Sequence, residues 1–334
     1  MIITKNSYLC ITNQRVVDMD AKIQPLVSFI ITAYNIPVVM LRECVESITN
    51  LSLSVTEREI IIIDDGSDFS PVNELIEMAP DIIFLRQPNQ GLSAARNMGL
   101  KLATGEFIQF VDGDDTLINA PYEHCLDIVR YQEPVDMVMF HFSQSKEEPT
   151  DFSFTGPVSG EQYMISENLR ASACCYIFRK DRLDGLRFTP GIFHEDEEFT
   201  PQLVLKMHNI YTTEAKAYYY RKRKGSIMHS EDKEEKRKRL SDMVKVILHL
   251  KEIAAASDAA RKTSMERRVA QLSMDFLVNV IRMTKSRRQL NKAIDLLKQH
   301  DLYPLPDENY TREYTIFRYM IQKKAGQLIL IAAL

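Results

Sequence analysis

The sequence has few cysteines and no long apolar segment, and both absences narrow the class of protein. Its five cysteines form no C-x-x-C pair, so no metal-type spacing is present and we expect a reduced, cytoplasmic compartment. No apolar run approaches the length of a membrane-spanning helix. Residues 1–24 carry Asp18 and Asp20 where a signal peptide would be apolar, so we interpret them as an N-terminal extension.

Two nucleotide-binding motifs are also absent. No G-x-G-x-x-G follows the first predicted strand, and no G-x-x-x-x-G-K-[ST] occurs anywhere. These absences argue against a dinucleotide-dependent oxidoreductase and a P-loop enzyme. The composition is ordinary for a globular protein, with 45% hydrophobic and 26% charged residues in 334. We expect one large domain and a smaller one.

Charge is distributed unevenly along the chain. Residues 1–220 carry 17 Lys/Arg and 32 Asp/Glu, whereas residues 221–334 carry 25 and 14. The basic part is suited to phosphates, nucleic acid or an anionic membrane surface. The last ten residues are apolar and follow Lys323 and Lys324, so we expect them to pack on the C-terminal helices or to enter a membrane interface. A basic helical cap or a dimer face is the alternative.

Short β-branched runs alternate with helical patterns in the first half of the chain. Strands are predicted within residues 26–35, 59–64, 81–86, 107–112 and 134–140, with shorter ones at 171–179, 209–213 and 217–220. The four consecutive isoleucines at 60–63 are typical of a parallel sheet that is covered on both faces. The alternation predicts an α/β fold with a doubly wound, mostly parallel sheet. Helical spacing beyond residue 231 predicts a C-terminal helical region.

Acidic residues follow two of these strands. They are Asp64 and Asp65 after the isoleucines, and Asp112, Asp114 and Asp115 after the strand at 107–111. Open α/β sheets bind ligands at the carboxyl ends of their strands, and clustered carboxylates repel one another unless a cation joins them. Mg²⁺ and Mn²⁺ take oxygen ligands and keep positions for water or phosphate. The alternative is a solvated, Asp-rich turn that bends at Gly113.

A second acidic cluster, residues 195–198, begins a predicted helix. Acidic residues in a first turn favour the helix dipole, which accounts for the cluster without any catalytic role. Like charges on both sides of a carboxylate would raise its pKa, which suits a general base. The basic residues at 221–224 either close over a diphosphate or form a solvated loop.

Together these segments resemble the inverting family-2 glycosyltransferases of the GT-A fold, over roughly residues 26–228. Five motifs carry the resemblance in order: the strand at 27–35, Asp64-Asp65-Gly66-Ser67, N-Q-G-L-S-A-A-R-N at 89–97, Asp112-Gly113-Asp114-Asp115, and Glu195-Asp196. Five ordered motifs are far more specific than any single match. The resemblance implies a GT-A-type mixed sheet with a nucleotide-binding half and an acceptor half.

The resemblance also implies a role for each matched residue. The nucleotide-sugar-binding residues would be Thr32, Ala33 and Tyr34 in the base pocket, Asp64 or Asp65 as the acceptor for uracil, and Arg96, Asn97, Asp112 and Gly113 along the nucleotide. The ligands of a divalent Mn²⁺ or Mg²⁺ would be Asp114, Asp112 and a late histidine, His229, for which an ordinary surface residue is the alternative. The catalytic base would be Asp196, with Glu195 beside it.

The sequence lacks two features that mark the processive polysaccharide synthases of this family. The chain has no tryptophan, hence no Q-x-x-R-W motif after the Glu-Asp pair, and no spanning helices. The resemblance therefore implies a cytoplasmic or membrane-peripheral enzyme that moves one sugar from a UDP-sugar to a glycan or lipid-linked acceptor. The expected domains are residues 1–24, 25–228 and 229–334. A second copy of the chain is a further candidate partner.

Two other functions are open on the sequence alone. A nucleotidyl or sugar-phosphate transferase would also use paired aspartates and Mg²⁺, but would not need the acidic cluster at 195–198. A non-enzymatic anion-binding module could use the basic C-terminal region. Nucleic acid is not expected as its ligand, because residues 221–300 contain only one aromatic residue, Phe276, for stacking on bases.

Overall fold

The computed structural model describes residues 2–4, 7–11, 24–78, 81–147, 149–222 and 232–334. The chain divides into two compact units. Unit 1 comprises residues 1–160, 171–191 and 206–223, and unit 2 comprises residues 161–170, 192–205 and 224–334. Segments 161–170 and 192–205 therefore group with the C-terminal helices, although the sequence pattern placed them in the larger domain.

Unit 1 is built on a single sheet. Its strands are β1 (Ile2–Thr4), β2 (Ser7–Ile11), β3 (Val27–Ala33), β4 (Arg58–Asp64), β5 (Ile82–Arg86), β6 (Phe107–Asp112), β7 (Thr116–Leu117), β8 (Met137–Ser143), β9 (Phe154–Val158), β10 (Tyr176–Arg179) and β11 (Ile210–Tyr219). Within the described residues the order is β1-β2-β5-β4-β3-β6-β10-β8-β11-β7, and β9 also pairs with β11. The N-terminal extension thus contributes two strands to the sheet edge.

The sheet is mixed, with one reversed strand near its centre and further antiparallel pairs towards its edges. Strands β5, β4, β3 and β6 run parallel to one another. Strand β10 is antiparallel to both of its neighbours, β6 and β8. Strands β8 and β11 then form a second parallel pair. The predicted parallel half is confirmed, and the reversed strand separates it from the second pair.

The core of unit 1 lies where the sequence pattern predicted it. The isoleucines at 60–63 on β4 are fully buried, as expected for a strand with parallel neighbours on both sides. The helices of this unit are α1 (Val38–Thr49), α2 (Val72–Met78), α3 (Leu92–Leu102) and α4 (Asn119–Tyr131). Helix α1 buries Leu41, Cys44, Val45 and Ile48, which share one face at helical spacing.

Two strand predictions need correction. The segment predicted as a strand at 171–179 is extended only over β10, because Cys175 N–H donates to the carbonyl of Ser172 at 3.0 Å and closes a turn. The two strands predicted at 209–213 and 217–220 are one strand, β11. Its register against β8 shifts on both sides of Lys216, so an irregularity absorbs the polar residues that had indicated a break.

Unit 2 is helical. Its helices are α5 (Gly160–Ser166), α6 (Glu195–Val204), α7 (Lys233–Ala256), α8 (Ala259–Thr284), α9 (Arg287–Gln299), α10 (Arg312–Ile321) and α11 (Lys324–Ala333). Asp232 caps α7 by accepting from Glu234 N–H, and Asp258 caps α8 by accepting from Ala260 N–H. Among the residues described, none of the helices combines the length and apolarity that crossing a membrane requires.

Candidate active site

The strand register brings the predicted nucleotide-binding segments to one edge of the sheet. Thr32 on β3 pairs with Asp112 on β6, and Ala33 pairs with Asp64 on β4. Because all three strands are parallel, the residues that follow them leave the sheet at the same edge. Three of the five sequence motifs therefore meet at the carboxyl ends of adjacent strands.

The three acids at the end of β6 and in the turn after it differ in burial. Asp115 is only 2% exposed, whereas Asp112 and Asp114 are half-buried. The hydroxyl of Tyr218 donates to Asp115 Oδ2 at 2.8 Å, and the backbone N–H of Arg221 donates to its Oδ1 at 2.8 Å. Burial, followed by the charge of Asp112, raises the pKa of Asp115 to about 8. Asp115 therefore anchors the turn to β11 and leaves its two neighbours nearer to solvent.

Asp112 is held by a buried arginine. Arg96 Nη2 lies 3.1 Å from Asp112 Oδ1, and the Arg96 side chain is 5% exposed. Its guanidinium carbon lies 5.3 Å from the centre of the Phe188 ring, a cation–π contact in a desolvated setting. Arg96 therefore fixes the direction of the Asp112 carboxylate.

Gly113 allows the acidic turn to lie directly against β3. Its N–H donates to the carbonyl of Thr32 at 2.9 Å. A Cβ at this position would meet the same carbonyl oxygen at 2.9 Å. Any larger residue would therefore push Asp112 and Asp114 away from the strand.

Asp64 and Asp65 hold two loops in different ways. The Asp65 carboxylate accepts from Gln87 Nε2 and from Gly91 N–H, both at 2.7 Å, and burial raises its pKa. Asp64 accepts from Ser67 N–H at 2.9 Å. Its Oδ2 is buried without a hydrogen bond in the described part of the chain, 3.6 Å from Arg86 Nε. Asp64 thus keeps an acceptor position that Asp65 has used.

The remaining predicted nucleotide contacts differ in exposure. Thr32 and Ala33 are buried, whereas Tyr34 is 47% exposed. The Asn97 amide donates to the carbonyl of Phe188 at 2.8 Å and accepts from Phe188 N–H at 2.9 Å. Asn97 therefore positions the segment around residue 188, and its contact with a nucleotide stays a prediction.

Part of the predicted basic loop is described. Arg221 pairs with Glu43 and its guanidinium carbon lies 5.9 Å from the Tyr219 ring centre. Arg223, Lys224 and His229 lie outside the described residues.

The acidic cluster that begins α6 is anchored within unit 2. Glu197 pairs with Arg268 on α8, and Glu198 Oε1 lies 2.5 Å from His249 Nδ1 on α7. Phe193 N–H, just before the helix, donates to the buried Asp242 on α7 at 3.1 Å. Two of the four acids are therefore held by side chains of α8 and α7, which the helix-dipole explanation alone did not anticipate.

Glu195 and Asp196 occupy the first two positions of α6, and both are half-buried. Asp196 Oδ1 accepts from Glu197 N–H at 2.9 Å. His194, which precedes them, has a left-handed backbone with φ of 64°, and burial lowers its pKa. The position of the helix start is thus determined by the left-handed backbone of His194 and by the contacts of Glu197 and Glu198 with Arg268 and His249.

Four residues of these two clusters escaped the sequence analysis. They are Tyr218, Asp242, His249 and Arg268, which lie 103, 49, 51 and 71 positions from their acidic or backbone partners. None belongs to a local motif, so only the tertiary fold reveals them.

Arg268 supplies a test of the anchoring. Replacing Arg268 with Met is expected to destabilise the protein by about 3 kcal/mol, because it leaves Glu197 as an unpaired, partly buried charge. The Leu169 carbonyl, which accepts from Arg268 Nη1 at 2.9 Å, also loses its partner. Glu197→Gln in the same chain should recover part of the loss, giving a coupling of about 1 kcal/mol or more in denaturant unfolding. Strict additivity of the two changes would contradict the ion pair.

The acidic turn fits a divalent cation. Among the described residues no group of three or more His, Cys, Asp or Glu is arranged around a common point. Mg²⁺ and Mn²⁺ bound with a nucleotide need only one or two carboxylates, since phosphates and water complete the coordination. Asp112 and Asp114 supply two half-buried carboxylates. Burial, and then the charges of Asp115, Asp112 and Asp114, raise the pKa of the nearby Cys44 thiol. A cation here would relieve this excess negative charge.

Comparison with known proteins adds sequence relatives. Residues 28–179 match the family model described as glycosyl transferase family 2. Glycosyltransferase GlyA of Streptococcus pneumoniae is 30% identical over 220 residues, which cover 60% of this chain and 31% of GlyA. Minor teichoic acid biosynthesis protein GgaB of Bacillus subtilis is 26% identical over 210 residues, covering 60% of this chain and 23% of GgaB. The matched region therefore spans less than a third of either relative.

Two solved structures share the fold. S. aureus TarS 1–349 in complex with UDP-GlcNAc superposes with a TM-score of 0.65 at 18% identity, covering 91% of this chain and 89% of that one. The mannosyltransferase PcManGT from Pyrobaculum calidifontis, in complex with GDP-Man and Mn²⁺, gives a TM-score of 0.56 at 16% identity, covering 92% and 86%. At these identities the likeness concerns the fold alone.

Proposed function

We propose a sugar-transfer reaction for this chain, which belongs to glycosyl transferase family 2 through residues 28–179. The observation that carries the proposal is the pairing of Thr32 with Asp112 and of Ala33 with Asp64, which gathers three family motifs at one sheet edge. The sheet is of the GT-A type that the sequence predicted. The proposed reaction moves one sugar from a nucleotide sugar to a glycan or lipid-linked acceptor, with inversion at the anomeric carbon.

The proposed donor is a UDP-sugar. A carboxylate accepts hydrogen bonds and donates none, so it suits the imide N–H of uracil. Asp64 is our choice for this contact, since its Oδ2 is without a hydrogen bond among the described residues while Asp65 is occupied by Gln87 and Gly91. Tyr34, at 47% exposure, follows Ala33, the β3 residue that pairs with Asp64, and offers an aromatic surface for the base.

We propose Asp114 and Asp112 as the ligands of Mn²⁺ or Mg²⁺. When bound, the cation would neutralise the diphosphate and assist departure of the nucleotide. Arg96 then has a separate task, which is to hold the Asp112 carboxylate in one direction through the contact at 3.1 Å. Gly113 keeps both acids against β3. His229 remains a proposed third ligand that lies outside the described residues.

Asp196 is the proposed general base. In the transfer step the acceptor hydroxyl oxygen forms a bond to the anomeric carbon as the bond from that carbon to the diphosphate breaks, and the hydroxyl proton passes to Asp196. Glu195 is proposed to tune or orient Asp196. The start of α6 holds the proposed base in place, since Asp196 Oδ1 accepts from Glu197 N–H at 2.9 Å.

The acceptor class is proposed from the relatives. GgaB, which is 26% identical to this chain over 210 residues, is named for minor teichoic acid biosynthesis. We therefore propose that the acceptor belongs to a cell-surface polysaccharide or a lipid-linked precursor of one.

A screen of nucleotide sugars tests the function directly. The protein is expected to hydrolyse one UDP-sugar slowly in water, releasing UDP only when Mn²⁺ or Mg²⁺ is present, and faster when the acceptor is added. An Asp127→Asn variant on the exposed side of α4 serves as a charge-matched control that should behave as the unchanged protein. Release of pyrophosphate from a nucleoside triphosphate and a sugar phosphate would instead identify a nucleotidyl transferase.

A further inference from the structure

Helix α11 is apolar on both faces although it lies at the surface. Its sequence is K-A-G-Q-L-I-L-I-A-A, with Lys324 as its single charged residue. Gly326, Gln327 and Leu330 are buried against the rest of unit 2. On the outward side Leu328 is 55% exposed and Ile329 is 57% exposed. A helix that is hydrophobic all round normally has apolar surroundings on every side.

Helix α10 enlarges the apolar surface. Ile316 and Tyr319 are one helical turn apart and are 50% and 64% exposed. The two helices join closely, since a Cβ on Gly326 would lie 2.1 Å from the carbonyl oxygen of Met320. This rigid junction keeps the exposed side chains of α10 and α11 on one helical pair. Four large apolar side chains, of Ile316, Tyr319, Leu328 and Ile329, are therefore at least half exposed on these two consecutive helices.

Positive charge surrounds this helical pair. Residues 312–334 contain four Lys or Arg residues and one acid, Glu313, and one of the four, Arg318, pairs with Asp307 outside this range. Lys323 and Lys324 are exposed at the connection between the helices. Arg287, at the start of α9, lies with its Nε 3.4 Å from Gln327 Oε1 on α11, and the next residue, Arg288, is exposed.

We propose that α10 and α11 dock the protein on an anionic phospholipid surface. Ten residues of helix extend about 15 Å, half of the roughly 30 Å hydrocarbon core, so α11 would lie in the interface and not cross it. The lysines and arginines would meet acidic headgroups while Leu328 and Ile329 enter the acyl boundary. A second copy of the chain fits less well, because a two-fold contact would set these cations against their own counterparts.

The absence of tryptophan from the chain provides a direct reporter. Leu328→Trp places the only indole of the protein on the proposed membrane face. Its emission is expected to shift to the blue, and to be quenched by brominated lipid, with vesicles of phosphatidylcholine and phosphatidylglycerol. Vesicles of phosphatidylcholine alone, or added salt, should reduce the change. Tyr131→Trp on α4, where the tyrosine is 72% exposed in unit 1, is the matched control and should not respond.

Vesicle flotation with further variants separates the contribution of the charged side chains to membrane binding from that of the apolar side chains. Lys323→Gln with Lys324→Gln should weaken binding to anionic vesicles roughly 25-fold, since each charge near such a surface is worth about fivefold. Leu328→Ser with Ile329→Ser should weaken it by more than about tenfold. Val55→Ser, at a position 49% exposed in unit 1, should have no effect. The four substituted side chains, Lys323, Lys324, Leu328 and Ile329, are exposed, so thermal unfolding should be unchanged.

Three results would overturn the proposal. They are equal binding to neutral and anionic vesicles, no spectral change of the Leu328→Trp protein on any vesicle, and a spectral change that depends on protein concentration without lipid. The last result would identify a second copy as the occupant. Because donor hydrolysis in solution does not require a membrane, failure of this proposal would leave the sugar-transfer assay unaffected.

Discussion

An Asp196→Asn protein is expected to transfer sugar roughly 10²–10⁴-fold more slowly, the usual contribution of a positioned proton acceptor. Asparagine keeps the oxygen that accepts from Glu197 N–H at 2.9 Å, so the start of α6 should fold as before. It cannot take the acceptor proton. The loss should therefore appear in kcat more than in donor KM, since proton removal matters only in the transition state.

Binding and neighbouring variants complete this test. UDP affinity measured by calorimetry should not change with Asp196→Asn, because the proposed donor contacts are on β3, β4 and β6. Glu195→Gln should have a smaller effect on kcat if that residue only tunes its neighbour. Near-normal turnover of Asp196→Asn with the true acceptor would show that another residue is the general base. The acidic cluster at 195–198 would then serve only to stabilise the start of α6.

Asp114→Asn is expected to reduce transfer by roughly 10²-fold or more, because a Lewis acid contributes several kcal/mol to stabilising the leaving group. A neutral amide oxygen is a weaker ligand than a carboxylate for a hard cation. The fold should survive, since Asp115 forms the hydrogen bonds that tie the turn to Tyr218 and Arg221. Calorimetry with UDP and a Mn²⁺ titration should show weaker binding and a higher metal requirement.

The control for this variant is Asp127→Asn, which removes the same charge from an exposed position on α4. It should keep both UDP affinity and metal dependence. If Asp114→Asn bound UDP with unchanged affinity and unchanged Mn²⁺ dependence, the assignment of Asp114 as a metal ligand would be wrong.

The parallel half of the sheet could be predicted because each of its strands has a strong local signal. The isoleucines at 60–63 can be buried on both faces only inside a sheet, and the run at 107–111 ends abruptly in acids. The ordered motifs then identified the family, and the comparisons confirmed it. Local sequence was sufficient to predict these features because each strand and the acidic turn after it lie in one continuous segment of the chain.

Other features depend on distant partners and gave no local signal. The sequence groups Asp112, Asp114 and Asp115 as equals, and only Tyr218 on β11 shows which of them is buried. The segment at 171–179 is largely apolar, so its composition could not show that a turn occupies its first half or that β10 runs against its neighbours. Arg268 has the sequence context of an ordinary helical residue, and its contact with Glu197 appears only in the folded unit.

The dependence of the acidic turn on β11 also orders the assembly of unit 1. Strands β3, β4 and β6 come from one continuous stretch of chain, residues 27–112. The bonds from Tyr218 to Asp115 and from Asp112 N–H to Tyr218 span 103 and 106 residues. Contacts with such separation form late, because loop closure precedes them. During synthesis the parallel strands can therefore pair before the turn acquires its final hydrogen bonds, and the proposed metal ligands reach their native arrangement only after β11 has docked.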